Sequence, residues 1–446
     1  MRLKRICVFG LFGRFDYEIN LNMTDRITIL HGPNGFGKTT ILRMVHDLFC
    51  GRYAKLMAIK FRDFRIDFED GRSIAVTRPD TAEDSSSLVV TLMKGQEVLQ
   101  SLPLKETDPD TIRHLGHFLE RRVPGLVREA TRRWRFLPTG EVFTTEGAVS
   151  RFAHLLPSEF STVPVERDWL RVLKKDVNIR FIESQRLFRS PQVRHSDDPE
   201  RIQPMVSVYS KELIDTIRSK LAEYATLSQT LDRTFPRRVV EQIENEGPGA
   251  ALQEDVRPTL AALEQKRSQL KEAGLLDKQE DLQFQVPENL QETTQRVLRV
   301  YVHDTEQKFS VFDDLAKRIE LFSKIVNERF FFKTMSVSRD RGITFRADEG
   351  TDIDLTDLST GEQHMLVLLY ELLFLVTPDS LVMVDEPEIS LHVAWQQGFL
   401  GDLAGIIDLS RFDVLIATHS PQIIHDRWDL TVELSASGNL HATQPI

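Results

Sequence analysis

The chain has 446 residues, a formal net charge of −10 and an ordinary globular composition, 41% hydrophobic and 28% charged. That length predicts a large core and two or three domains, and the acidic balance excludes a general polyanion binder, so any contact with nucleic acid needs a local patch. Cys7 and Cys50 are the two cysteines. They give neither a disulfide framework nor metal-ligand spacing, which fits a reducing cytoplasm. No signal peptide is visible, and the most apolar stretch, Met365 to Val376, is too short to span a bilayer and contains Glu371. A cytoplasmic protein without a membrane partner is expected.

In chain order, the first eighty or so residues read as β-rich, with Asp70-Gly71 between two alternating runs as a hairpin signal. "SSLVVTLMKGQEVLQSL" reads as another hairpin. Helical patterns are expected from Asp108, and a strand at Ile179 to Ile182. From Met205 the sequence is mainly helical and charged. There Phe312, Leu315, Ile319, Phe322 and Val326 follow steps of three and four, and "ENEGPGAA" interrupts as a loop. A further hairpin, "FKTMSVSRDRGITFRAD", precedes alternating helices and strands to the end. No internal repeat is visible.

Three kinds of motif carry chemistry. "HGPNGFGKTT" fits G-x-x-x-x-G-K-[ST] with Gly32, Gly37, Lys38 and Thr39, between a short buried strand ("RITIL") and a helix with Ile41, Leu42, Val45, Leu48 and Phe49 on one face. Backbone amides of Gly32, Asn34, Gly35, Gly37 and Thr40 can surround phosphates there, with Pro33 part of the same loop, Lys38 on the β/γ-phosphates and the Thr39 hydroxyl on Mg²⁺. "SLVMVDEPEISLH" is a buried strand ending in Asp385-Glu386, an acidic pair where an open α/β sheet places ligand chemistry. Asp385 would hold Mg²⁺ through water and Glu386 would polarise the attacking water. "FDVLIATHSPQII" brings His419 to the same sheet edge, within reach of a γ-phosphate. "DLSTGEQHMLVLLYELL" contains an S-x-x-E capping box, Ser359 to Glu362, before an apolar helix, so amides from Ser359 to Gly361 form a second anion site.

These motifs, in this order, resemble an ABC-type ATPase head. The resemblance implies an α/β fold, an ABC-type P-loop ATPase head with a mixed central sheet and an antiparallel β subdomain, carrying a helical insertion. It implies a head formed by 1–204 and 328–446, with the insertion at 205–327. It also implies ATP and Mg²⁺ as cofactors. Two copies would sandwich two ATP molecules, Lys38 and Thr39 of one facing Ser359 and Gly361 of the other, in a dimer or higher homo-oligomer. Glu386 is similar to the family's catalytic glutamate and His419 to its switch histidine. Gln185, in "FIESQRLF", stands where the family carries a glutamine for Mg²⁺ and the attacking water.

Within that family, acidic Glu362 in "LSTGE" and the long insertion separate the chain from transporter subunits. The motifs resemble the branch of RecF, the Rad50/SMC proteins and the OLD-type ATPases, and "DEPEISLH" with "ATHSPQII" is similar to ATPase subunits of the anti-phage systems Septu and PARIS. One departure is Ser390-Leu391-His392, where many members have an aspartate that communicates across the dimer. OLD proteins continue into a nuclease domain after the histidine, whereas this chain stops at Ile446. The resemblance therefore implies a separate nuclease-like effector and a phage-encoded trigger as partners, with a RecF-like DNA-repair clamp as the alternative. Arg121, Arg122, Arg128, Arg132, Arg133 and Arg135, interleaved with Trp134 and Phe136, read either as a nucleic-acid contact or as a solvated helix face paired to Glu120 and Glu129.

Overall fold

The computed structural model describes residues 1–79, 87–105, 119–121, 123, 125–130, 133–138, 141–144, 148, 152, 168–189, 203–245, 256–277, 291–389 and 391–435. Two compact units emerge: Met1–Ile202 with Val376–Ile446, and Gln203–Leu375. The helical segment from Met205 thus shares a unit with the sequence around Ser359.

In the first unit, alternating hydrophobic residues build an antiparallel sheet from β1 (Leu3–Leu11), β2 (Phe15–Asn20), β4 (Asp63–Phe68), β5 (Arg72–Thr77), β6 (Ser87–Lys94) and β7 (Glu97–Lys105), in the order β2-β1-β4-β5-β6-β7. Ile6 stands opposite both Ile19 and Ile66, all fully buried, so the period of two gives this sheet one continuous apolar face. A second sheet runs in the order Ile179–Ile182, Leu381–Asp385, Asp413–Ala417, β3 (Ile27–His31), Thr431–Glu433. Every pairing in it is parallel. Its middle strands are near-continuous Val, Ile and Leu, as expected for strands covered on both faces. Helix α1 (Lys38–Phe49) follows β3 and buries Ile41, Leu42, Val45 and Leu48 in a core shared with β1, β4 and β6.

The Arg121–Arg135 stretch departs from the helical expectation. Leu126–Ala130, Arg133–Phe136 and Glu141–Thr144 form a three-stranded antiparallel sheet, with Arg128 opposite Trp134. Trp134 is fully buried and the Arg128 guanidinium lies 5.6 Å from its ring centre. Glu129 pairs with Arg133 at 3.1 Å and with Arg135. Burial of one large aromatic, which sequence periodicity does not register, outweighs the helical charge spacing here. The two arginines that share Glu129 leave a weaker polyanion surface than the composition promised. Arg122, Arg132, Ser390, Ile446 and the start, at Asp108, of the stretch expected to be helical lie outside the described residues.

The second unit holds helices Met205–Asn245, Val256–Glu272, Glu292–Ser310, Asp313–Arg329 and Thr360–Phe374, with the hairpin Lys333–Ser338 and Gly342–Ala347. Phe312, Leu315, Ile319, Phe322 and Val326 are all buried, as their spacing predicts. An aromatic stack ties the helices together: Tyr370 lies 4.5 Å from Tyr209 and 4.8 Å from Phe374, ring centre to ring centre. Among the described residues no helix is long and apolar enough to cross a membrane.

Candidate functional site

The parallel sheet delivers three strand ends to one edge, those of β3, Leu381–Asp385 and Asp413–Ala417. The loop after β3 turns through Gly32, Gly35 and Gly37, all at positive φ. At Gly37 (φ +91°) an added Cβ would sit 2.7 Å from Leu11 Cδ2, and at Gly32 it would meet the Leu434 carbonyl oxygen at 2.6 Å. The close turn is therefore available only to glycine at both positions. Gly37 caps α1 without a side chain, and the first intrahelical bond runs from Ile41 N to Gly37 O at 2.9 Å. The amides of Lys38, Thr39 and Thr40 precede that bond and face out of the helix start, a natural place for phosphate oxygens.

Lys38 is buried, and Nζ donates to the carbonyls of Gly32 (2.7 Å) and Pro33 (3.2 Å). Burial lowers its pKa, opposed by the charges of Glu386, Glu388 and Asp385. Thr39 Oγ1 donates to Asp385 Oδ1 at 2.7 Å. Burial raises the Asp385 pKa, partly offset by that hydroxyl and reinforced by Glu386. Asn34, Pro33, His31 and Gly32 line a cavity of about 340 Å³ with His419 and Trp428, and the His31 and Trp428 rings meet edge-on at 5.5 Å.

Glu386 follows the strand with φ +45°, a left-handed conformation costly for a residue with a side chain. It is held there by Glu386 N donating to Ala417 O at 2.8 Å. The side chain lies 3.6 Å from His419 Nδ1. Asp385, Glu386, Thr39, Lys38 and His419 are thus gathered at one edge. Gln185 is not drawn in: it is exposed on the loop after Ile179–Ile182, and among the described residues no hydrogen bond joins it to Thr39 or Asp385. Sequence reasoning missed Glu388, which is buried and accepts hydrogen bonds from Thr418 Oγ1 (2.6 Å), His419 N (2.9 Å) and Ser420 N (3.2 Å). The signal was the second glutamate of "DEPE", but its partners lie in the turn after the neighbouring strand Asp413–Ala417.

In the other unit, Ser359 caps the helix Thr360–Phe374 with a full capping box. Ser359 N donates to Glu362 Oε2 at 2.9 Å, and Lys333 Nζ donates to Glu362 Oε1 at 2.8 Å. Burial pushes the Glu362 carboxyl upward, but the bonds from Lys333 and Ser359 outweigh it and hold the pKa below the usual value. Gln363 N makes the first intrahelical bond, to Ser359 O, so the amides of Thr360 and Gly361 lie at the open helix start.

Strand, glycine loop and helix, with an acidic strand end bonded to the loop's threonine inside a parallel sheet, define a mixed α/β fold of P-loop type with helical segments. The chain belongs to the family described as "AAA domain, putative AbiEii toxin, Type IV TA system", whose model matches residues 27–425. Over 72 residues it is 35% identical to Protein ea59 of Escherichia phage lambda, 16% of this chain and 14% of that relative. The match thus spans about a seventh of that curated relative's length. Among solved structures it is similar to the Smc head domain of Pyrococcus furiosus bound to the C-terminal domain of ScpA, at 11% identity and a TM-score of 0.35, covering 95% of this chain and 91% of that one. The SMC head domain of Thermotoga maritima gives 13% and 0.33, covering 97% and 94%.

Proposed function

We propose that the protein binds ATP with Mg²⁺ at this edge, hydrolyses it slowly, and uses the ATP-bound form as a switch in anti-phage defence. The observation that carries the reading is the part-buried Thr39–Asp385 hydrogen bond with Glu386 and His419 beside it. A bound Mg²⁺ would supply positive charge against the phosphates. Thr39 and Asp385 would hold it, directly and through water. Lys38 would leave the Gly32 and Pro33 carbonyls for the phosphates. Glu386, the least constrained carboxylate of the group, orients and takes a proton from the attacking water, and His419 donates toward the γ-phosphate. Gln185 reaches this set only after its loop moves.

Ser359 and Gly361 supply the second half of each site from another copy, so ATP assembles a dimer or larger homo-oligomer. The assembled form holds a separate nuclease-like effector until a phage-encoded trigger arrives. The family's description as a toxin–antitoxin component supports the defence side of this reading.

The test is the Glu386→Gln variant, expressed from its native gene neighbourhood and purified with ATP. ATP turnover at least about 100-fold below wild type, with ATP retained, is expected from loss of the base. Hydrolysis at the wild-type rate would overturn the assignment. A stoichiometric nuclease-like protein in the preparation supports the defence switch; DNA without a protein partner moves the reading to a RecF-like repair clamp.

A further inference from the structure

We infer that Glu388 is the positioning residue of the histidine switch: one oxygen of its buried carboxylate locks the Thr418–Ser420 step and fixes which nitrogen of His419 faces the nucleotide. Glu388 is 7% exposed, and its Oε1 accepts from Thr418 Oγ1, His419 N and Ser420 N at 2.6, 2.9 and 3.2 Å. His419 Nδ1 lies 3.1 Å from the same oxygen, closer than the 3.6 Å to Glu386 Oε1. Oε2 is buried and, among the described residues, has no hydrogen-bond partner. Here every donor converges on the oxygen that faces the histidine.

At 3.1 Å this is a close charge contact, and an ionised carboxylate only accepts, so the ring nitrogen beside it is the one favoured to carry the proton. Nδ1–H toward Glu388 turns Nε2 away from it, toward the cavity that His419 lines with Gly32 and Asn34. A neutral His419 then offers Nε2 as an acceptor, and a protonated one donates from it. Glu386 stays the more distant of the two carboxylates, 3.6 Å from Nδ1, and available to water. Two glutamates separated by one proline therefore do different work: the first, in its left-handed turn, faces the reaction, and the second sets the histidine.

The kinetic consequence rests on the ATP-hydrolysis reading; the structural inference does not. The experiment is nitrogen-15 NMR of histidine-labelled full-length protein at pH 8, where an ordinary imidazole is neutral, with His419→Gln identifying the signal. Wild type is expected to show the Nδ1–H tautomer at His419. Glu388→Ala should lose it in favour of Nε2–H. Glu388→Gln should keep it, because the two backbone amides require the amide carbonyl, not its NH₂, at the Oε1 position. In turnover assays Glu388→Ala should lower kcat about tenfold or more with KM for ATP within about threefold, and should cost less than about twofold when added to His419→Ala. An Nε2–H signal in wild type, an unchanged tautomer in Glu388→Ala, loss of Nδ1–H in Glu388→Gln, or additive losses in kcat would each overturn the inference. If Glu388→Ala does not fold, wild type and Glu388→Gln still decide it. Absence of ATP hydrolysis by wild type would sink the proposed function and leave the NMR result to stand alone.

Discussion

The hydroxyl of Thr39, in the first turn of α1, is hydrogen-bonded to the Asp385 carboxylate 346 residues further along the chain. One short bond joins the loop expected to hold phosphates to the strand end expected to hold the metal. Because Asp385 is buried, its charge destabilises the fold that contains it. A raised folded-state pKa means the native protein binds the proton more tightly than the unfolded chain, so stability from this group falls as pH rises from the ordinary carboxylate value through the raised one.

Asp385→Asn keeps an acceptor for Thr39 and removes the charge. It should melt above wild type at pH 7.5 without nucleotide, and the gap should close as pH falls below about 4. Mg²⁺-dependent ATP binding should disappear in the same variant. Thermal melts across pH, with calorimetry of MgATP binding, check both; a variant that melts below wild type at neutral pH would remove the argument. Thr39→Val should instead cost about 1–3 kcal/mol in urea unfolding, because it strands the buried carboxylate.

Glu386 stands at φ +45°. Glycine relieves that strain and alanine does not, so Glu386→Gly should be more stable than Glu386→Ala by about 1 kcal/mol. Both should lose hydrolysis. Paired denaturation curves measure the difference, and an alanine variant as stable as the glycine one would mean the turn is relaxed.

Gly37 and Gly35 share positive φ but not surroundings: Leu11 blocks a Cβ at Gly37, and nothing lies within 4 Å of one at Gly35. Gly37→Ala should therefore cost about 2–3 kcal/mol and weaken ATP binding, while Gly35→Ala should cost about 1 kcal/mol from backbone strain alone. Equal losses at the two positions would show that crowding against Leu11 is relieved elsewhere.

The Glu362 carboxyl, despite burial, titrates below its ordinary value because Lys333 and Ser359 bond to it. Its stabilising contribution is complete above the unfolded value of about 4.3 and is lost as pH falls through the lower folded one. Lys333→Met should cost about 1–3 kcal/mol at pH 7 and progressively less in that acid range. Urea unfolding of the pair at several pH values tests it; a cost that does not shrink at low pH would assign it to packing of the lysine stem.

Legibility in the sequence followed the range of the interactions. The phosphate loop, the Ser359 capping box and the strand running into Asp385 are local patterns, set by spacings of three to eight residues, and each forms as its spacing predicts. Glu388 was opaque because its partners come from Thr418 to Ser420, beyond the intervening helix Val393–Ser410. Only strand register brings Asp385 opposite Ala417 and so sets that glutamate beneath the histidine step. Trp134 was opaque for the opposite reason. Its surroundings carry charges at helical intervals, and burial of a single ring against Arg128 decided for strand.

The parallel sheet places β3 between Asp413–Ala417 and Thr431–Glu433. The strand bearing the phosphate loop is made well before either of its neighbours. At about 5–20 residues per second of synthesis, β3 waits on the order of tens of seconds for its partners. Ile29 and Leu30, fully buried in the finished protein, have no sheet to enter during that interval, which makes the nascent chain a natural client for a holding chaperone. The same delay acts as quality control. A fragment cut short before Ala417 lacks the strand Asp413–Ala417 that pairs with β3 and cannot assemble this edge.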